Sequence, residues 1–119
     1  GLCELEKDKN DYLSKDILMY LQKNFLSPIS LDEISAKFGY SKYSFSHLFN
    51  SYFQCSMTEY INSLRARYAA NLLMETKGSM TEIAMQSGFE SLRTFYRVFK
   101  KYYGETPSEY KKQRHTTLE

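Results

Sequence analysis

The sequence predicts an all-α fold, and two observations support this prediction. Only two prolines and five glycines interrupt the 119 residues, and no dipeptide typical of a β-hairpin turn occurs. In addition, four segments with helical apolar spacing each begin at a Ser or Thr that is followed three residues later by Glu, the pattern of a capping box. These pairs are Ser30 with Glu33, Ser56 with Glu59, Ser79 with Glu82, and Thr106 with Glu109.

An internal repeat relates the two halves of the chain. Each residue of the second copy lies 49 positions after its counterpart in the first copy, as far as the residue that follows the shared glycine. Beyond that residue the separation is 50 positions. Ile34, Gly39 and Tyr40 recur as Ile83, Gly88 and Phe89, and Ser41, Phe45, Leu48, Phe49, Tyr52 and Tyr60 recur as Ser91, Phe95, Val98, Phe99, Tyr102 and Tyr110.

Each copy predicts a short helix, a tight turn and a longer helix. In the first copy these are residues 31–38, Gly39 and 42–53, and in the second they are 80–87, Gly88 and 91–103. Glycine suits both turns because the residue that closes a helix often takes a positive φ, which glycine adopts at little cost. This is the layout of a helix-turn-helix unit, present twice.

One long helix is predicted between the two units, at about 57–75. Its roughly 19 residues would span about 28 Å at 1.5 Å per residue, close to the spacing of about 34 Å between successive major-groove openings on one side of B-DNA. A last helix is expected to start with Pro107 at its first position, where the missing N–H is harmless. The apolar positions of the long helix are Met57, Tyr60, Ile61, Leu64, Tyr68, Leu72 and Leu73.

The longer helix of each unit divides into an apolar face and a polar face. Neither polar face contains an acid, whereas a purely solvated face usually mixes charges. The layout alone is equally compatible with a plain packing unit. We predict that Phe45, Leu48, Phe49, Tyr52, Phe95, Val98, Phe99 and Tyr102 point inward, and that Tyr43, Ser46, His47, Asn50, Ser51, Arg93, Tyr96, Arg97, Lys100 and Lys101 point outward. The core is also expected to hold Tyr60, Tyr110, Met19, Met57, Met74, Met80 and Met85.

Composition narrows the possible functions. The net charge is only +2, yet residues 40–119 carry eleven Lys and Arg against seven acids, which makes a polyanionic partner conceivable. Cys3, Cys55, His47 and His115 form no metal or nucleophile pattern, and no phosphate loop occurs, so we expect neither an enzyme nor a cofactor or metal. The longest apolar run, from Ile17 to Leu21, is too short to span a membrane.

At residues 12–111 the chain resembles the C-terminal DNA-binding domain of the AraC/XylS transcription regulators. The most specific part is IAMQSGFESLRTFYRVFKKYYGETPSEY, supported by LDEISAKFGYSKYSFSHLF, EYINSLRARYAANLL and the leading helix DYLSKDILMYLQKNF. The resemblance implies seven helices, with the two longer helices of the repeats reading adjacent major-groove segments of double-stranded DNA. In this family the domain usually follows a ligand-sensing or dimerising domain, so the chain resembles an excised C-terminal fragment.

Carried over by position, the resemblance implies two classes of DNA contact. Ser41 and Ser91 are expected to be helix caps first, and Glu90 to favour the helix dipole. Two departures stand out: His47 replaces a customary Arg, and Gln54 replaces the glycine kept as Gly104. Base contacts are implied for Tyr43, Ser46, His47, Leu92, Arg93, Tyr96 and Arg97, and phosphate contacts for Ser41, Lys42, Asn50, Ser91, Lys100 and Lys101.

The predicted organisation and partners follow from this resemblance. Residues 8–56 would hold the first helix and the first helix-turn-helix unit, 57–75 the linker helix, and 76–114 the second unit with the last helix, while 115–119 form a tail. The expected partners are a promoter site in double-stranded DNA and RNA polymerase, in a bacterial cytoplasm with the nucleoid. The fragment is expected to be monomeric and its parent dimeric through another domain. The alternative is a helical protein-interaction module that uses the same outward faces.

Overall fold

The computed structural model describes the backbone of residues 2–118 and the side chains of residues 12–114. Within that range the chain forms seven α-helices and no β-strand, which confirms the all-α, seven-helix prediction. In chain order they are α1 (Leu2–Asn24), α2 (Leu31–Lys37), α3 (Lys42–Phe53), α4 (Met57–Glu75), α5 (Met80–Gln86), α6 (Leu92–Tyr103) and α7 (Pro107–Leu118). No helix in the described part of the chain is long and apolar enough to cross a membrane.

All four predicted caps form. The hydroxyl of the cap accepts a hydrogen bond from the backbone N–H three residues later, at 3.0 Å for Ser56 and 3.2 Å for Thr106. Ser30 and Ser79 do the same at 3.3 and 3.1 Å. At the start of α4 the box is reciprocal, because the backbone N–H of Ser56 donates to the Glu59 carboxylate at 3.4 Å. Local sequence therefore determines where these helices begin.

The turn between the two helices of each unit also has the predicted form. Gly39 and Gly88 adopt φ values of 82° and 89°. Each turn is closed by a hydrogen bond from the next backbone N–H to the preceding helix, Tyr40 to Ser35 at 2.8 Å and Phe89 to Ala84 at 3.0 Å. The two copies of the repeat thus share one turn geometry.

The chain divides into two compact units at a point inside α4. The first unit spans Gly1–Tyr60 and the second spans Ile61–Glu119. Each unit therefore contains one helix-turn-helix, α2 with α3 or α5 with α6, and a part of α4.

In the first unit, α1 covers the helix-turn-helix with one apolar face. Ile17 and Leu21 of α1 are fully buried, together with Ile34 of α2 and two phenylalanines of α3, Phe45 and Phe49. The side-chain amide of Gln22 also donates to the Tyr60 hydroxyl at 3.1 Å, which ties α1 to the start of α4.

In the second unit, the buried face of α4 includes the apolar positions Ile61 and Leu73 and also residues outside that apolar pattern. Leu64, Tyr68 and Leu72 are only half-buried, while three alanines and Leu73 are buried. Alanine is too small to stand out in an apolar pattern, but it lets neighbouring helices approach closely. The buried cluster consists of Ala66, Ala69, Ala70, Leu73, Ile83, Ala84, Phe89, Phe95, Val98 and Phe99.

Two of the predicted inward residues are exposed, which corrects the prediction for the last turn of α3 and of α6. Tyr52 is 44% and Tyr102 is 40% exposed, and their neighbours Phe53 and Tyr103 pack inward instead. The reason is the position of the following helix. Tyr103 packs against Tyr110 of α7, with ring centroids 5.3 Å apart, so the last turn of α6 faces that helix.

Two methionines were also wrongly expected in the core. Met19 is 57% and Met85 is 70% exposed, because each lies on the solvent side of its helix. Met57, Met74 and Met80 are half-buried, and Met80 packs against the core of the second unit.

Candidate nucleic-acid interface

The outward face of α3 presents an aromatic ring and an imidazole one helical turn apart. Tyr43 is 80% exposed and His47 is also exposed. Their rings are nearly parallel, at 6° with centroids 6.3 Å apart, as expected for side chains at positions i and i+4. Ser46, between them in sequence, is half-buried. The three predicted base-contact residues of α3 thus lie on one face of the first unit.

Asn50 extends this face by one turn, but part of its hydrogen-bonding capacity is used within the helix. Its side-chain amide donates to the backbone carbonyl of Ser46 at 2.7 Å. An asparagine amide has two N–H donors. One donor therefore stays available for a phosphate oxygen.

The outward face of α6 is strongly cationic. Arg93, Arg97, Lys100 and Lys101 are all exposed. Among residues 12–114, the side chains of Arg93, Arg97 and Lys100 form no hydrogen bond or ion pair. Their charges are therefore not neutralised by a neighbouring acid within the described chain.

Two aromatic residues accompany these cations. Tyr96 is 39% exposed, and its ring lies 5.6 Å from the buried ring of Phe95, which holds it beside Arg93 and Arg97 along the helix. The Lys101 ammonium lies over the Tyr102 ring, 5.7 Å from the centroid.

Leu92 differs from the other predicted base-contact residues. It is the first residue of α6, and it is half-buried because it packs against the core of the second unit. Only part of its surface is therefore available to a partner, as is also the case for the half-buried Ser46.

The serines before α3 and α6 act as helix caps. The Ser41 hydroxyl accepts from the backbone N–H of Ser44 at 3.1 Å, and the Ser91 hydroxyl accepts from that of Thr94 at 3.2 Å. Ser91 also donates to the Thr94 hydroxyl at 3.1 Å. The Ser91 hydroxyl thus both accepts and donates within the helix. The Ser41 hydroxyl only accepts, so its O–H can still donate to a phosphate, as can the free backbone N–H groups of the first turn.

Lys42 forms an ion pair that sequence reasoning did not predict. Its ammonium lies 3.0 Å from a carboxylate oxygen of Asp32 in α2, and both side chains are exposed. No local pattern indicates this pair, because the two residues are brought together only by the turn at Gly39.

Arg65 lies close enough to Glu90 in the second unit for their charges to interact. It is half-buried in α4, and desolvation lowers its pKa, while the charge of Glu90 acts in the opposite direction. Glu90 immediately precedes the cap of α6, where a negative charge also suits the helix dipole.

The charges are unequal between the units. The first unit contains six Lys against eight acids, and the second contains ten Lys and Arg against six acids. Attraction for a polyanion is therefore expected chiefly from the second unit. In the part of the chain with described side chains, no group of three or more His, Cys, Asp or Glu residues is arranged to hold a metal ion.

Two helix-turn-helix units, each with an acid-free outward face on its second helix, define a helix-turn-helix protein. Residues 34–113 match a family model described as a helix-turn-helix domain. The chain is 37% identical over 102 residues to the probable transcription factor PqrA of Proteus vulgaris, covering 86% of this chain and 81% of that protein. It is 35% identical over 98 residues to the right origin-binding protein of Escherichia coli, covering 82% of this chain but only 34% of that protein.

Solved structures agree with this assignment. A transcriptional regulator of Chromobacterium violaceum, described as containing an AraC-type DNA-binding domain, superposes with a TM-score of 0.77 at 26% identity, over 90% of this chain and 96% of that one. The chain belongs to the AraC-type helix-turn-helix family.

Proposed function

We propose that this chain binds double-stranded DNA sequence-specifically, as the DNA-binding domain of a bacterial transcription regulator. The observation that carries the proposal is the pair of exposed, acid-free faces on α3 and α6, each held outward by a buried aromatic face of the same helix. A DNA-binding helix needs this combination, because its inner face must fix it and its outer face must meet phosphates and base edges. Family membership and the transcription-factor name of PqrA support it.

In this proposal α3 and α6 each enter the major groove, in adjacent segments of one site. Arg93 and Arg97 can each donate two hydrogen bonds to O6 and N7 of guanine, the commonest specific contact of an arginine. Tyr43 and Tyr96 offer apolar surface to a thymine methyl, and Ser46 and His47 offer hydrogen-bonding groups. Leu92 contributes its exposed part to an apolar contact. Because the two faces differ in residues, the site of one domain is expected to lack palindromic symmetry.

Phosphate contacts set the register of each helix on the duplex. Lys100 and Lys101 follow the base-contact residues of α6, and Lys42 and Asn50 frame those of α3. Ser41 and Ser91 add uncharged donors, through their hydroxyls and the N-terminal N–H groups of α3 and α6 beside them. Such contacts are independent of sequence and depend on salt.

The wider cellular setting is also part of the proposal. A transcription regulator acts together with RNA polymerase, in the cytoplasm where the nucleoid lies. We expect this chain alone to bind as a monomer, with dimerisation provided by another domain of its parent. The chain spans about a third of the length of the right origin-binding protein.

No catalytic activity is proposed, in keeping with a family of transcription regulators.

Selection from a pool of random duplexes tests the proposal. Purified protein at about 0.1 M salt should enrich one common motif about two helical turns long. The logarithm of its binding constant should then fall linearly with the logarithm of salt concentration, with a slope of about −0.9 for each phosphate contacted. Failure to enrich a motif would favour the alternative, a helical protein-interaction module.

A further inference from the structure

The first turn of α3 begins with a lysine that does not stabilise the helix. Lys42 is the first residue of α3, and the N-terminus of a helix carries a partial positive charge that repels a cation. The first turn of α3 contains no acid that would offset this repulsion. The Lys42 charge therefore destabilises α3, and an anion supplied by another segment of the chain offsets this effect.

In this structure that anion is the carboxylate of Asp32. The Lys42 ammonium and one Asp32 carboxylate oxygen are 3.0 Å apart, and the side chains are 57% and 69% exposed. An ion pair this exposed is weak, because water solvates both charges well. A DNA phosphate would bind the same ammonium through the same kind of charged oxygen, so carboxylate and phosphate compete for one cation.

The pair is particular to the first unit. In the repeat, Asp32 corresponds to Thr81 and Lys42 corresponds to Leu92, so the second unit has neither charge. The second unit nevertheless forms the same turn, with the same positive φ at Gly88. The helix-turn-helix fold therefore does not require the pair.

We propose that Asp32 limits the DNA affinity of the first unit by competing with phosphate for Lys42. This inference rests on the proposed DNA binding. When the duplex binds, the Lys42 ammonium leaves the Asp32 carboxylate for a phosphate, or contacts both groups. The negative charge of Asp32 then lies close to the negative charge of that phosphate. Lys42 then contributes less affinity, and less salt dependence, than an unpaired lysine. Asp32 thus acts only through its effect on Lys42 and contacts no base itself.

The first arm of the test compares Asp32→Asn with Glu33→Gln. Both variants remove one negative charge from the first turn of α2, and Gln is accepted at position 33 because it also serves in a capping box. Binding of each variant to the selected duplex is measured at several salt concentrations, after thermal unfolding has verified that both fold. Asp32→Asn should bind about two- to fivefold tighter, with a salt slope steeper by up to about 0.9, and Glu33→Gln should change affinity by less than about twofold.

The second arm places Lys42→Gln in the wild-type chain and in the Asp32→Asn chain. If Asp32 acts through Lys42, the lysine substitution should reduce affinity more in the Asp32→Asn background than in the wild type, and the gain from Asp32→Asn should disappear in the double variant. This coupling would not result from a general change in net charge.

The possible outcomes distinguish a failure of this inference from a failure of the proposed DNA binding. If wild-type protein binds its duplex but Asp32→Asn and Glu33→Gln give equal gains, or if Lys42→Gln reduces affinity by the same factor in both backgrounds, the inference is wrong and the DNA-binding proposal stands. If the wild-type chain binds no duplex, the proposed function is wrong and the inference is wrong with it.

Discussion

The ring of Tyr110 in α7 stands edge-on against the ring of Phe99 in α6, with centroids 5.3 Å apart and planes at 84°. The first unit repeats this contact between Phe49 and Tyr60, at 6.2 Å and 62°. In both units the helix that follows the outward-facing helix thus packs on the aromatic residue at its centre. This contact determines which side of α3 and α6 is buried, and therefore which side is free to meet a partner.

The first prediction concerns the inward side of α6. Phe99→Ala should reduce the free energy of unfolding by about 3–5 kcal/mol, because it empties a fully buried ring site. Tyr102→Ala, in the same helix but 40% exposed, should reduce it by less than about 1 kcal/mol. Urea denaturation followed by circular dichroism measures both values. Equal losses would mean that Tyr102 belongs to the core after all.

A second prediction concerns the residues that end α3 and α6. Gln54 adopts φ 61°, a left-handed conformation that Gly104 adopts at the equivalent position with φ 73°. Gln54→Gly should raise the free energy of unfolding by about 0.5–1 kcal/mol, since glycine takes this conformation without strain. Gly104→Ala should lower it by a similar amount, and for conformational reasons alone, because an added Cβ would meet no atom within 4 Å. Thermal or urea unfolding of both variants checks the opposite signs, and a change of the same sign in both would contradict the account.

A third prediction follows from the half-buried thiol of Cys55. Burial raises its pKa, and the charge of Glu59 raises it further. The thiolate is the reactive form, so at pH 8 Cys55 should react with an alkylating reagent more slowly than a free cysteine. The rate is measured in a Cys3→Ser chain, in which Cys55 is the remaining cysteine.

The same shift has a consequence for stability. Because the pKa of Cys55 is higher in the folded than in the unfolded state, folding favours the protonated thiol. This contribution to stability is fully present below the unfolded pKa and is lost as pH rises through the folded pKa. Glu59→Gln should lower the pKa of Cys55 and speed its alkylation, while it keeps a side chain suited to the capping box with Ser56. An unchanged rate would mean that Glu59 does not influence the thiol.

Much of the fold could be predicted because its signals are local. The caps at Ser30, Ser56, Ser79 and Thr106 depend on residues three positions apart, and the turns depend on single glycines, so the helix starts could be located from the sequence. The outward faces of α3 and α6 follow from helical periodicity in the same way.

The errors arise where the answer depends on residues distant in sequence. Tyr102 was expected to be buried because the helical wheel places it beside Phe95 and Phe99, yet the wheel contains no information on where α7 lies. The Asp32–Lys42 pair joins two helices across a turn, and no spacing rule indicates that two exposed side chains will meet. The DNA contacts themselves stay predictions, since they depend on a partner.

The most direct test of the central claim compares Arg97→Ala with Lys101→Ala on the selected duplex and on a set of its single-base variants. The account predicts that Arg97→Ala weakens binding to the selected duplex by about 1–3 kcal/mol and removes the preference at one or two base pairs, because arginine reads guanine edges. Lys101→Ala should weaken binding to all the duplexes by about the same factor and make the salt slope shallower by about 0.9. If both substitutions weaken every duplex equally, or if neither changes binding, the outward face of α6 does not read DNA sequence.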